Sequence, residues 1–189
     1  MLGSSHPSLT MMQPDRPLPN SYWVIPRRFL AGEYPGNKDG ASGEKKIKCL
    51  LQAGIDTFID LTEHHELTPY EGLLQKQKSP DKRELVYRRL PITDVSVPRS
   101  PGVMKAILDA IESFLHEGRN LYLHCWGGVG RTGTVVGCYL RSQGMDGNAA
   151  LKQLAEWWTE VEKRHRSPFT PETQEQCDYV RHWAGGRGT

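Results

Sequence analysis

The chain has 189 residues, 37% of them hydrophobic and 24% charged, which is the composition of one ordinary globular domain. Its 24 Lys and Arg nearly balance 22 Asp and Glu, so a net charge of +2 gives no electrostatic reason to expect nucleic acid or an anionic membrane as the main partner. Cys49, Cys125, Cys138 and Cys177 are too few for a disulfide scaffold and read as thiols in a reducing compartment. No apolar run approaches the roughly 20 residues of a membrane span. The start lacks a secretory signal, so a cytoplasmic location is expected.

In chain order, residues Met1 to Asn20 are rich in Ser and Pro and read as a flexible leader, followed by one domain over residues 21–185. Strands are expected at Tyr22 to Ile25, Phe29 to Ala31, Thr57 to Leu61, Leu85 to Leu90 and Asn120 to His124. A helix over Gly43 to Ala53 places Ile47, Leu50 and Leu51 on one face, with Gly54 as its stop, and Glu66 to Lys76 is a weaker helix. The next begins at Pro101 after Ser100 as cap, and its Met104, Ile107, Leu108, Ile111 and Leu115 face the sheet. Arg131 to Gln143, Asn148 to Lys163 and Pro171 to Trp183, the last with Thr170 as cap, complete the helices. Strands alternating with helices predict an α/β fold with a central, mostly parallel sheet flanked by helices.

The chemistry concentrates in Cys125-Trp-Gly-Gly-Val-Gly-Arg131, between a strand and a helix. Gly127, Gly128 and Gly130 allow a tight turn with inward N–H groups, and the following helix adds the positive end of its dipole, so the loop suits an anion. Donors, dipole and guanidinium all favour the thiolate of Cys125. A thiolate nucleophile beside a planar fork of donors points to phosphoryl transfer to sulfur, with no metal and no cofactor required. Three rival readings fit the same residues less well. Gly128-Val-Gly130-Arg-Thr-Gly133 matches the dinucleotide fingerprint, but helix follows where an acidic strand end is needed. A nucleotide phosphate loop needs Lys where Arg131 stands. A buried structural cysteine explains neither the glycines nor the arginine.

His124-Cys125-x5-Arg131-Thr132-Gly133 resembles the signature loop of the protein tyrosine phosphatase superfamily, and the size is similar to its compact dual-specificity branch. The resemblance implies a cysteine-phosphatase-like fold and a phosphocysteine intermediate on Cys125. It implies phosphate binding by the loop Trp126, Gly127, Gly128, Val129, Gly130 and Arg131. It further implies that Thr132 assists the leaving thiolate, and that His124 holds the loop and tunes the thiol. A general acid is needed, and Asp94, in the proline-flanked loop Pro91 to Pro98, occupies the place of the family's acid loop. Asp60 and Glu63 compete for that role, and Asp81 reads as turn chemistry. His64 and His65 lack further ligands at metal-binding spacing.

The family's water-positioning glutamine falls by register on Glu172, with Gln174 nearby, and that role is not carried over. Trp157, Trp158 and Trp183 read as packing, and Cys138 as a buried helical thiol, with a protective disulfide to Cys125 as the alternative. The loop carries no cation beyond Arg131, unlike the resembled polyphosphoinositide phosphatases. The expected activity is therefore a phosphatase for phosphotyrosine, with phosphoserine and phosphothreonine as further substrates. The alternatives are a phosphate-binding module, or a phosphatase of inositol phosphates or other small phosphomonoesters.

Overall fold

Five short strands of the predicted set form one sheet in the computed structural model, which describes residues 15–37 and 40–184. They are β1 (Ser21–Ile25), β2 (Phe29–Gly32), β3 (Thr57–Asp60), β4 (Val86–Arg89) and β5 (Leu121–His124), in the spatial order β1-β2-β5-β3-β4. Only β1 and β2 pair antiparallel, joined as a hairpin; the other three pairings are parallel. β2, β3 and β5 are buried along their whole length, as expected of parallel strands covered on both faces.

Side-chain alternation divides the core in two. Phe29, Ala31, Ile59, Leu121 and Leu123 face one apolar cluster, while Leu30, Phe58 and Tyr122 face the other. The first is covered by α3 (Pro101–His116), α4 (Gly130–Ser142), α5 (Gly147–Trp158) and α6 (Gln174–His182). The second is covered by α1 (Gly40–Gln52), through Ile47, Leu50 and Leu51, and by the short α2 (Glu71–Leu74). α4 packs on α3, α5 and α6 and is buried from Gly130 to Leu140.

Sheet register positions the site. Gly32 and Asp60 both align with His124, and Asp60 aligns with Arg89, so β2, β5, β3 and β4 end at one level. The loops leaving β5, β3 and β4 therefore emerge along one edge, the carboxyl edge where open parallel sheets place their ligands.

The helix ends differ from expectation at five places, the first being α1, which starts at Gly40 rather than Gly43. α6 starts at Gln174 rather than Pro171, and its cap is Thr173, not Thr170: Gln176 N donates to Thr173 Oγ1 at 3.2 Å while Thr173 N donates to Gln176 Oε1 at 3.1 Å. The Thr170 hydroxyl is spent elsewhere, donating to the Val129 carbonyl at 2.8 Å. The helix expected to reach Lys163 stops at Trp158 and resumes only as a tight turn at Glu162–His165. The weak helix shrinks to α2, because Glu66 is drawn away to Arg131. Ser100 precedes α3 without a capping bond from its side chain. Of the predicted leader, residues 1–14 lie outside the described residues; Leu18 is buried and Asn20 donates to Glu33 Oε2 at 3.1 Å.

Candidate active site

Between β5 and α4 the chain makes a turn that only particular residues allow. Gly128 has φ +74°, and a Cβ there would lie 2.5 Å from the backbone of Gly32. A Cβ on Gly130 would lie 2.9 Å from the Gln176 amide. The loop's carbonyls are tied outward one after another. His124 Nδ1 lies 3.1 Å from the Cys125 carbonyl, Tyr34 N donates to Trp126 at 3.0 Å, and Lys163 Nζ donates to Gly127 at 3.1 Å. Thr170 Oγ1 holds Val129, and Thr134 Oγ1 holds Gly130 at 2.9 Å. A peptide whose carbonyl is held on one side turns its N–H to the other, and this is the backbone arrangement that an anion nest requires.

A small pocket of about 290 Å³ opens on this loop. Cys125, Trp126, Gly127, Val129, Gly130 and Arg131 line it, and Asp94 stands at its edge. Gly128 turns the loop from behind, and His124 and Thr132 are buried beneath it. Arg131 is 1% exposed and is gripped end to end by Glu66: Nη1 donates to Oε2 at 2.8 Å and Nη2 to Oε1 at 2.6 Å. Nη1 also donates to the Ile92 carbonyl at 3.1 Å, and Asp94 Oδ1 lies 2.7 Å from Nη2. Burial works against the guanidinium charge, but Glu66, Cys125 and Asp94 outweigh it and keep Arg131 cationic. Burial likewise opposes ionisation of Glu66, and the Arg131 donors overcome it, holding that carboxyl below its usual range. Two buried donors here have no partner, Arg131 Nε and the Thr132 hydroxyl.

Behind the loop, His124 is fully buried, and burial holds its ring below the usual histidine range despite nearby Asp60. The Cys125 carbonyl can only accept, so Nδ1 carries the proton; Nε2, 2.7 Å from the Tyr70 hydroxyl, then accepts from it. Asp60 is equally buried. Thr62 N and Oγ1 donate to its Oδ1 at 2.8 and 2.6 Å, and Tyr87 and Arg89 donate to Oδ2 at 2.6 and 3.1 Å. Burial opposes that charge too, but His124, Thr62 and Tyr87 prevail and hold the carboxyl low.

Of the competing acids, Asp60 is locked in this network and Glu63, exposed, accepts from Thr93 Oγ1 at 3.2 Å; neither lines the pocket. Asp81 makes a turn with Ser79 and Arg83. The rings of His64 and His65 lie 4.2 Å apart, tilted by 38°, and among the described residues no cluster suited to a metal is found. Glu172 lines the pocket, whereas Gln174 points to Asp178 at 2.9 Å. Trp157 and Trp158 pack on Tyr22, and Trp183 stacks on Tyr179. Cys138 is buried in α4, and burial pushes its thiol up.

Glu66, Lys163 and Gln176 were not singled out from the sequence. Lys163 brings a cation to the pocket from outside the loop, paired with Glu33 Oε2 at 2.8 Å. Buried Gln176 donates to the Ser96 carbonyl at 3.0 Å and so joins α6 to the Asp94 loop. Its only linear signal is the Thr173-x-x-Gln176 capping pattern.

A Cys and an Arg on an amide nest at the carboxyl edge of a parallel sheet define the class: a cysteine-phosphatase fold. A family model described as "Swiss Army Knife protein, DSP-PTPase phosphatase domain" matches residues 18–182, and the chain belongs to that family, within the protein tyrosine phosphatase superfamily and its dual-specificity-like domains. It is similar to the putative tyrosine phosphatase 067L of Invertebrate iridescent virus 3, with 32% identity over 123 residues, 64% of this chain and 45% of that protein. It is also similar to the dual specificity protein phosphatase CDC14B of Mus musculus, with 30% identity over 122 residues, 62% of this chain and 23% of that protein. The chain thus spans less than half the length of either relative. Among solved structures, Tk-PTP in its active form is 27% identical, with 88% of this chain and 97% of that one covered and a TM-score of 0.64. Kinase associated phosphatase, at 18% identity, 87% and 92% coverage and a TM-score of 0.62, shares the fold. No described helix is long and apolar enough to cross a membrane.

Proposed function

We propose that the chain hydrolyses phosphomonoesters through a phosphocysteine on Cys125, acting on phosphotyrosine and, because the pocket is small, on phosphoserine and phosphothreonine as well. No metal takes part. Arg131 Nε and the inward amides receive the phosphoryl oxygens, and the incoming anion displaces Asp94 from Nη2. Cys125 Sγ bonds to phosphorus as the ester P–O bond breaks, and the departing oxygen takes a proton from the Asp94 carboxyl. Water then attacks phosphorus and gives its proton to the Asp94 carboxylate. The S–P bond breaks, releasing inorganic phosphate, while the Thr132 hydroxyl donates to the returning thiolate.

The observation that carries this reading is the unpartnered Arg131 Nε, buried on a guanidinium that Glu66 fixes beside Cys125. A buried donor without a partner is costly unless a ligand completes it. The printed names of the relatives, a tyrosine phosphatase and a dual specificity phosphatase, support the substrate class. Hydrolysis of p-nitrophenyl phosphate, phosphotyrosine and phosphothreonine peptides by the wild type and Cys125→Ser tests it. Activity lost in the variant with its fold intact is expected; activity retained in Cys125→Ser would refute the nucleophile. Phosphopeptide binding by the wild type without turnover would leave only a binding module.

A further inference from the structure

Val95, Trp126 and Phe169 are the large apolar side chains most open to solvent among the described residues, at 56%, 58% and 74% exposure. Two of them belong to the Cys125 pocket, and the third is close to it along the chain. Val95 and Trp126 line it, and Phe169 stands between Ser167, another wall residue, and Thr170, which holds the loop carbonyl of Val129. Apolar side chains left exposed together mark a contact surface.

A second cleft of about 700 Å³ adjoins the first, and the two share Trp126 and Lys163 as walls. Its apolar lining comes from Tyr34, Leu67, Pro69 and Trp126. Its carboxylates are already engaged. Glu33 accepts from both Lys46 and Lys163 at 2.8 Å, and Glu66 is bound to Arg131. Arg89 Nη1 lies 3.1 Å from His64 Nδ1. Two lysines on one carboxylate leave a single positive charge over at this end of the cleft, beside a lining whose exposed surface is mostly carbon.

We propose that this cleft receives an apolar side chain of a protein substrate, next to the phosphorylated residue seated on Cys125. The domain thereby selects phosphotyrosine sites flanked by leucine or an aromatic residue over sites flanked by alanine or by charged residues. This rests on the phosphatase reading above. The two clefts meet at Trp126, so a peptide whose phosphate lies on the loop must carry its neighbouring side chains across that indole.

The test compares kcat/KM of the full chain on three phosphotyrosine peptides differing only in the flanking residues: leucine and phenylalanine, alanine, or lysine and glutamate. The apolar peptide is expected to be favoured over the alanine peptide by about tenfold, the range a few buried methylenes provide. In Leu67→Ser, and separately in Pro69→Ser, that ratio is expected to fall towards one. Equal rates on the three peptides, or a ratio unmoved in both variants, would overturn the inference. So would faster hydrolysis of a phosphoinositide in phosphatidylcholine vesicles than of any peptide. p-Nitrophenyl phosphate separates the two levels. If the wild type hydrolyses it but shows no flanking preference, only this inference fails; if the wild type does not hydrolyse it, the phosphatase reading fails with it.

Discussion

Glu66 holds the Arg131 guanidinium at both ends, with Oε1 2.6 Å from Nη2 and Oε2 accepting from Nη1 at 2.8 Å. The two residues stand 65 positions apart, on the loop after β3 and at the start of α4. Their pairing fixes the plane of the fork, and with it the direction in which Nε points.

Glu66→Gln keeps one hydrogen bond and loses the bidentate charge match. The guanidinium is then free to tilt, and kcat/KM on an aryl phosphate is expected to fall on the order of 100-fold, the cost of misplacing a binding group by about 1 Å. Thermal unfolding should show a loss of about 1–3 kcal/mol, since a buried cation is left under-satisfied. Wild-type kinetics in this variant would show that the clamp has no part in the site.

Asp94 Oδ1 lies 2.7 Å from Arg131 Nη2, yet the side chain is 48% exposed and free to swing toward a leaving oxygen. Asp94→Asn is expected to lower kcat by about 10²-fold or more, the usual range for losing a general acid. The loss should be larger for phosphotyrosine than for p-nitrophenyl phosphate, whose leaving group needs less protonation. The basic limb of the pH–rate profile should flatten. An unchanged leaving-group dependence would move the acid elsewhere.

The Thr132 hydroxyl is buried without a partner, so stability and activity should part company there. Thr132→Val replaces it with a methyl group of the same shape and is expected to raise stability by up to about 1 kcal/mol. The same change should slow phosphocysteine breakdown, so that a burst of product precedes a lowered steady rate. A destabilised variant with full turnover would contradict both halves.

His124 gives stability a slope with pH. Burial holds its folded pKa below the unfolded value of about 6.5, so the unfolded chain takes up the proton first as pH falls. Its stabilising effect is therefore whole above about pH 6.5 and is lost as pH drops through that value toward the folded one, at up to about 1.4 kcal/mol per pH unit. Denaturant unfolding between pH 7.5 and 5.5 should show this slope in the wild type and a shallower one in His124→Asn. Equal slopes would mean that folding leaves the proton affinity of His124 unchanged. Glu66 and Asp60, whose pKa values are lowered instead, add stability present above their unfolded values of about 4 and lost on further acidification.

All five strands, the apolar face of α3 and the Cys125 loop were legible in the sequence because each is written locally. Short apolar β-type runs mark strands, the Met104 to Ile111 spacing marks a helix face, and glycines bracket the thiol. What escaped is non-local. Glu66, Lys163 and Gln176 act on Arg131, Gly127 and Ser96, which are 65, 36 and 80 residues away, and no spacing rule joins such partners. The start of α6 was misread because Thr170-Pro171 and Thr173 both offer capping chemistry. Only the contact of Thr170 with Val129 decides between them. α2 was overextended because nothing local shows that Glu66 serves another loop.

The most direct measurement is a rapid denaturing quench of the enzyme turning over phosphotyrosine peptide labelled on phosphorus, followed by mapping of any label on the chain. The account predicts label on Cys125 in the wild type, a larger steady fraction in Thr132→Val, and none in Cys125→Ser. Label on another residue, or turnover with no labelled chain under conditions where the Thr132→Val burst is seen, would contradict it.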